Sequence, residues 1–311
     1  MKKKKNADTM FWANVKKDFM RNKYAYLMII PVIILFILFE YKPMYGIVIA
    51  FKNYRPAKGI EGSAWVGLKW FKQFLMDPYY LRIVRNSFVI NILQLCFVFP
   101  CPVIFALLLN EVKVKWFKKT VQTISYMPHF ISIVVICGLI TSFCQSNGAL
   151  NDIIEFFGGE RHNLLQESEL YYPIYLISDI WQGLGWSAII YLAALSGIDQ
   201  EQYEAAKIDG AGRLQQMRYI TLPGLMPTVS MLFVLQFGSL LSVGRDKTLL
   251  LYNELTYDVA DVISTYVYRR GLIDADFSYS TAVGLFQSVI NIVMLVTANK
   301  MSKKLGQSGL F

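Results

Sequence analysis

Residues 199–223 read DQEQYEAAKIDGAGRLQQMRYITLP, a polar stretch set between two long apolar ones. Asp199 with Gln202 has the spacing of a capping box and predicts a helix through Asp209. Gly210 is the residue type that ends such a helix in the left-handed region. Ala211 to Ile220 predicts a second short helix, and Pro223, which lacks a backbone donor, marks the turn into the next apolar run. Ala205 and Ala206 permit close approach of a neighbouring surface. The expectation is a compact knob of two short helices.

The flanking apolar runs set the fold class. Hydrophobic residues make up 55% of the 311 and mean hydropathy is +0.38, above the ~45–50% apolar content of soluble domains. Apolar runs fall near Tyr24 to Phe39, Ser87 to Leu109, Val121 to Phe143, Tyr171 to Leu195, Leu225 to Val243 and Thr281 to Ala298. Most reach the ~20 residues that a bilayer asks of a helix. They predict an all-α integral membrane protein with six transmembrane helices. The first run is short, and Glu40 and Lys42 precede a second apolar piece, Met44 to Phe51, so its outer boundary stays open. Glu40-Tyr41-Lys42-Pro43 stands where a signal peptide would carry a small-residue cleavage site, so this span is expected to remain as an anchor.

Basic residues give the orientation. Lys2 to Lys5, Lys113 to Lys119, the Lys207, Arg213 and Arg218 group, and Lys300 to Lys304 all fall on one side if the spans alternate. The positive-inside rule then places both termini in the cytoplasm. The expected organisation is a basic tail over 1–23, a six-helix domain over 24–298 with the loop 199–223 on its cytoplasmic side, and a tail over 299–311. The net charge of +9 clusters at span ends with no nucleic-acid reader fold behind it, which favours membrane lipid over nucleic acid. Cys96, Cys101, Cys137 and Cys144 lie in or at the edge of apolar spans, lack metal-ligand spacing and read as buried free thiols. With His129 and His162 the only histidines, no hydrolytic or metal constellation is expected.

The loop resembles the EAA loop of ABC importer permeases. That pattern is Glu-Ala-Ala, three residues, Gly, nine residues, Ile-x-Leu-Pro, and Glu204, Ala205, Ala206, Gly210, Ile220, Leu222 and Pro223 meet it without insertion. The resemblance implies a type I ABC importer (MetI-like) permease fold, in which the knob docks into a cleft on a separate ATPase subunit. With Asp209, these residues would be the coupling surface, and Glu204 would pair with a basic group on the ATPase. The bland alternative is an amphipathic connector whose Glu and Ala merely favour helix. The chain has no Gly-x-x-x-x-Gly-Lys-Ser/Thr loop to hold nucleotide phosphates. No cofactor is therefore expected on this chain; ATP and Mg belong to the partner ATPase.

Three further stretches, Tyr45 to Tyr54, Tyr126 to Ser132 and Ala260 to Leu272, resemble the carbohydrate-uptake permeases of the LplB-like branch, which handles polysaccharide-derived oligosaccharides. That resemblance implies a second permease, two ATPase subunits, an extracellular solute-binding lipoprotein and an oligosaccharide cargo. Cargo would touch the spans flanking the loop, at Asp179, Gln182, Gly183 and Trp186 before it and at Gln236, Ser239, Leu240 and Val243 after it. Each set has the spacing of one helical face. Aromatic rings cover the apolar face of a pyranose while amides and carboxylates bond its hydroxyls, and Trp181 adds a further ring. Asp179 is a functional candidate because an in-span carboxylate is costly, unless it lies near enough to the surface to be solvated. Leu240 and Val243 cannot bond hydroxyls.

Polar residues Asn86, Asn91, Gln94, Gln287 and Asn291 suit either cargo contact or interhelical hydrogen bonds. His129 beside Pro128 marks either a break in the third span or a packing histidine. Arg269 and Arg270 suit an acidic sugar, a binding protein or a lipid headgroup. Rival readings are a membrane enzyme on lipid-linked sugar using Asp179 and Glu169, an importer of a non-sugar solute, and a scaffold for other subunits.

Overall fold

A computed structural model describes residues 17, 18, 20–304, 306, 309 and 310. The Lys2 to Lys5 cluster and most of the expected 1–23 tail lie outside the described residues, as do 305, 307, 308 and 311 of the 299–311 tail. The chain forms two compact units, residues 1–69 and 70–311.

In the first unit, helix α1 (Lys23–Phe36) continues through a π-turn (Ile37–Tyr41) and a 3₁₀ segment (Tyr45–Phe51). Together they make one 29-residue apolar stretch, Lys23–Phe51, which closes the boundary that the sequence leaves open. A hairpin follows, the one sheet among the described residues and an addition to the all-α expectation. Strand β1 (Lys52–Arg55) runs antiparallel to β2 (Gly59–Trp65), with Lys52 opposite Trp65. The Lys52 ammonium donates to the Ile60 carbonyl at 2.7 Å, and the Phe51 ring stacks on Trp65 at 5.7 Å. Gly59, at φ +66°, supplies the turn.

The second unit opens within a short helix (Lys69–Leu75), followed by α2 (Tyr80–Leu93), which passes through a π-turn (Gln94–Val98) into α3 (Pro100–Glu111). Next come α4 (Lys115–Tyr126), α5 (Ile133–Cys144) and α6 (Ala149–Phe156). The long α7 (Ser168–Ser196) leads to α8 (Gln200–Ile208), and a π-turn (Met217–Thr221) leads into α9 (Leu222–Phe237). Helices α10 (Arg245–Leu251) and α11 (Ile263–Tyr268) precede the closing α12 (Phe277–Lys304). Among the described residues, five stretches are long and apolar enough to cross a bilayer. The sixth expected span is α7, whose 29 residues extend ~44 Å at ~1.5 Å each; Asp179, Gln182 and several tyrosines make it more polar than the others.

Three expectations need correction. The third span is not continuous: α4 ends at Tyr126, Met127–Phe130 is 3₁₀, and α5 starts at Ile133 behind a Ser132 cap whose hydroxyl accepts from the Val135 amide at 3.4 Å. Pro128 explains the break, because it cannot donate to the helical ladder. The fifth span ends at Phe237 rather than Val243. Beyond it the backbone is held by the last helix: the Gln287 amide donates to the Leu241 carbonyl at 2.8 Å, and the Asn291 carbonyl accepts from the Leu241 amide at 3.1 Å. The second loop helix is not separate either, since Arg213–Phe237 is one stretch.

Three of the four π-turns among the described residues end two residues before a proline: Tyr41 before Pro43, Val98 before Pro100, and Thr221 before Pro223; the fourth, Arg269–Ile273, does not. A proline ring crowds the carbonyl four residues back, and widening the turn relieves that clash without breaking the rod.

The core has two layers. At the coupling-loop end Ala106, Ala188, Tyr191, Leu195 and Leu225 pack together. At the other end Cys137, Cys144, Leu164, Tyr171, Tyr175, Val243 and Leu251 form a second cluster; of the four thiols expected to be buried, Cys96 is instead exposed and Cys101 half-buried. There Asp261, fully buried, receives Arg269 at 2.7 Å and Arg82 at 3.3 Å. Asn86 donates to the carbonyls of Asp258 and Asp261 at 2.9 and 3.0 Å. Arg269 is thus engaged within the fold, and Arg270 lies on Asp274 at 3.3 Å. Burial works against the Asp77 charge, but the hydroxyls of Tyr266 and Tyr279, at 2.6 and 2.9 Å, and the Tyr79 amide hold its carboxyl below the usual range.

Between the layers Gly185 of α7 meets the backbone of Ser125 on α4, where a Cβ has no room. Gly185→Val should therefore destabilise the protein by about 1–3 kcal/mol through overpacking. Thermal unfolding of the detergent-purified chain reads this, and an unchanged transition midpoint would show that α4 and α7 separate freely.

Candidate substrate path and coupling surface

A cavity of about 850 Å³ opens on the middle of α7. The spacing of α7 puts Asp179, Gln182, Gly183 and Trp186 on its wall, the π-turn brings Gln94, the break in the third span brings His129, and α9 brings Gln236. Phe99, Ile190, Leu232 and Leu235 supply apolar surface. The His129 and Trp186 rings stack with centroids 4.4 Å apart and planes 4° apart. Phe130 meets Trp186 edge-on at 5.6 Å. The break at Pro128 and the aromatic stack are therefore one feature: the 3₁₀ turn delivers the imidazole to the indole.

Asp179 is neither a free ligand nor a solvated surface group. Lys247, from α10, donates to its Oδ1 at 2.5 Å, and Gln94 Nε2 donates to its Oδ2 at 2.6 Å. The same ammonium donates to the Tyr175 carbonyl at 2.8 Å and sits 4.1 Å from the Tyr175 ring centroid. The Lys247 side chain is 6% exposed and that of Asp179 20%. The pair cancels the carboxylate's charge at the cavity wall.

Of the second expected set, only Gln236 reaches the cavity. Ser239, Leu240 and Val243 lie past the end of α9, so the helical-face spacing that groups them does not apply. Leu240 and Val243 are buried in the core, and Ser239 Oγ turns back to the Gln236 carbonyl at 2.9 Å. Trp181 is half exposed and stands apart from the cavity. Sequence reasoning left Gln94 and His129 undecided and missed Lys247, which lies on the short helix α10, 68 residues from its partner.

The coupling loop folds as a knob. Asp199 caps α8 by accepting from the Glu201 amide at 3.0 Å, so the expected capping box with Gln202 is a simpler cap one residue nearer. Gly210 takes φ +82°, and the Ala211 amide donates to the Ala206 carbonyl at 2.8 Å, the hydrogen bond of a Schellman ending. The Tyr203 hydroxyl lies 3.0 Å from Thr221 Oγ1, tying α8 to the root of α9. Glu204, Ala205, Asp209, Leu222 and Pro223 are exposed, Ala206 and Ile220 half-buried. Flanking the tip, Ile208 and Leu214 are 87% and 79% exposed, an apolar pair that the motif does not include.

A bundle of spanning helices that carries a rigid polar knob at one end and a polar, aromatic-lined cavity within it defines a membrane transporter subunit. The chain belongs to the family of binding-protein-dependent transport system inner membrane components, whose model matches residues 99–306. It is 46% identical to the polygalacturonan/rhamnogalacturonan transport system permease protein YteP of Bacillus subtilis (strain 168), over 94% of this chain and 91% of that one. It is 43% identical to Protein LplB of the same organism, over 94% and 92%. Among solved structures it resembles a chain of a bacterial alginate ABC transporter in complex with an alginate pentasaccharide-bound periplasmic protein. There the TM-score is 0.86 at 40% identity, covering 94% of this chain and 99% of that one.

The buried pair gives a sharp test. Lys247→Met or Asp179→Asn alone should cost about 3–5 kcal/mol, the scale for removing one partner of a buried pair. The double substitution should recover most of that loss. Thermal unfolding of all four forms gives the coupling, and strictly additive losses would mean that the two groups do not interact.

Proposed function

We propose that this chain is one of two permeases in an ATP-driven importer of oligosaccharides, fed by an extracellular solute-binding lipoprotein and driven by two separate ATPase subunits. The observation that carries the reading is the pairing of the rigid EAA knob with the α7 cavity. Its orientation follows from the knob, which faces the cytoplasm if it meets an ATPase there, and both termini lie on that side. The names of the relatives support a carbohydrate cargo.

The cavity chemistry fits such a cargo. Gln182, Gln236 and Gln94 offer amide donors and acceptors to hydroxyls, and the Trp186 and His129 rings offer a flat apolar platform. Because Lys247 neutralises Asp179, the wall does not repel an acidic sugar, which suits uronic-acid oligosaccharides of the kind that two of the similar proteins are named for. The second permease completes the path on the open side.

Coupling follows from rigidity. Glu204, with Ala205, Ala206 and the apolar pair Ile208 and Leu214, enters a cleft on the ATPase. The continuous stretch Arg213–Phe237 transmits its displacement to the cavity wall at Gln236. Binding and hydrolysis of ATP with Mg take place on the partner subunit, and their closure motion becomes rocking of one permease against the other.

Glu204→Lys should weaken ATPase docking by about 2 kcal/mol or more, as expected where a charge meets a like charge in an interface. Co-purification of the ATPase with the tagged permease and uptake in cells both read this; normal stoichiometry together with normal uptake would remove the knob's role. Trp186→Ala should lower uptake about two- to tenfold, the scale of one aromatic stack, while the ATPase stays bound. Uptake of an oligogalacturonide at the unaltered rate would remove Trp186 from the path.

A further inference from the structure

The packing at the coupling-loop end also places a charged segment that the importer reading leaves without a role. The end of α3 packs through Ala106 against Ala188, Tyr191 and Leu195 of α7 and Leu225 of α9. Glu111 and the short link after it therefore lie at the end of the bundle that carries the knob. Lys113, Lys115, Lys118 and Lys119 follow within seven residues. None forms an ion pair among the described residues, and Glu111 is the sole carboxylate between residues 100 and 126.

Helix α4 buries no side chain. At 100° per residue, Lys115, Lys118, Lys119 and Gln122 share one arc, whereas Trp116, Phe117, Val121 and Ile124 share the opposite one. On that apolar arc Trp116 is 75% exposed, Ile124 63% and Phe117 50%. Lysines and a tryptophan on the same turn, where a spanning rod ends, are the composition of an interfacial segment: rings enter the acyl boundary and ammonium groups reach the headgroups. A surface that met protein through this face would bury the apolar arc and leave the lysines unmatched, whereas an anionic bilayer satisfies both arcs.

We propose that Lys113 to Lys119 binds anionic phospholipid headgroups, the phosphodiester class carried by phosphatidylglycerol, at the coupling-loop end of the bundle. The site fixes the lower half of the broken third span to the leaflet, while the turn at Pro128 holds His129 at the cavity. It rests on the importer reading only in that partner subunits are purified with the chain; an importer of another cargo gives the same result.

The test uses the whole importer in nanodiscs of phosphatidylcholine containing a rising fraction of phosphatidylglycerol, with retained lipid quantified after mild delipidation. Wild-type protein should enrich phosphatidylglycerol, less so as salt is raised. Replacing all four lysines by Gln should abolish the enrichment, with about fivefold lost per lysine, the equivalent of ~1 kcal/mol each. Replacement by Arg should preserve it. If the quadruple Gln form does not assemble, the single exposed changes Lys115→Gln and Lys119→Gln carry the same comparison. Soluble glycerol 1-phosphate should fail to displace the bound lipid; displacement would mean a free-phosphate site and overturn the proposal. Equal enrichment in the Gln and wild-type forms would overturn it too, as would loss of the ATPase from the Gln form with lipid enrichment unchanged.

Discussion

In a bilayer no water reaches the hydrocarbon core, so every irregular stretch of backbone there needs a partner within the protein. That constraint organises the second unit. Where α9 stops at Phe237, Gln287 and Asn291 reach across from α12 to hold Leu241 and Ser242. Where the third span breaks, Ser132 caps the restart. At the prolines, π-turns keep the ladder occupied instead of opening it. The polar side chains within the spans are in large part the structural counterpart of these irregularities, and the cavity lies where several of them meet.

Charge follows the same economy. Asp179 takes a lysine and an amide, Asp261 takes two arginines, and Asp77 takes two tyrosine hydroxyls. Apart from Arg269–Asp261, eight residues apart, these bonds join residues at least 68 positions apart, so the carboxylates act as clamps between elements. Asp179 differs in bordering a cavity. Its clamp sets the electrostatic character of the path as well as its shape, because one exchange of partners there would leave a bare charge facing the cargo.

The helical class, the order of the spans and the knob were legible in the sequence because each rests on local signals: apolar runs, a cap, a glycine and a proline. The α7 face was legible too, since a continuous helix preserves residue spacing. The corresponding reading on α9 failed at Ser239, Leu240 and Val243 for the same reason, because spacing carries no information once the helix ends, and what ends it is held by α12. Lys247 was invisible because a lysine between two apolar runs gives no sign that a short helix will fold it back onto a carboxylate in a span. His129 and Pro128 stand out in the sequence, but only the three-dimensional stack with Trp186 shows that break and ring act together.

The π-turns carry a consequence of their own. A residue absorbed in a widened turn does not lengthen a rod so much as rotate all that follows, by about 100° for each residue added or removed in an α-helix. The number of residues between Gln94 and Pro100 is therefore an angular setting. It decides that the side of α3 bearing Val103 and Ala106 faces α7, while Gln94 faces Asp179. A single-codon deletion in that turn would leave composition and hydropathy almost untouched, yet it would turn the packing face of α3 away from its partner.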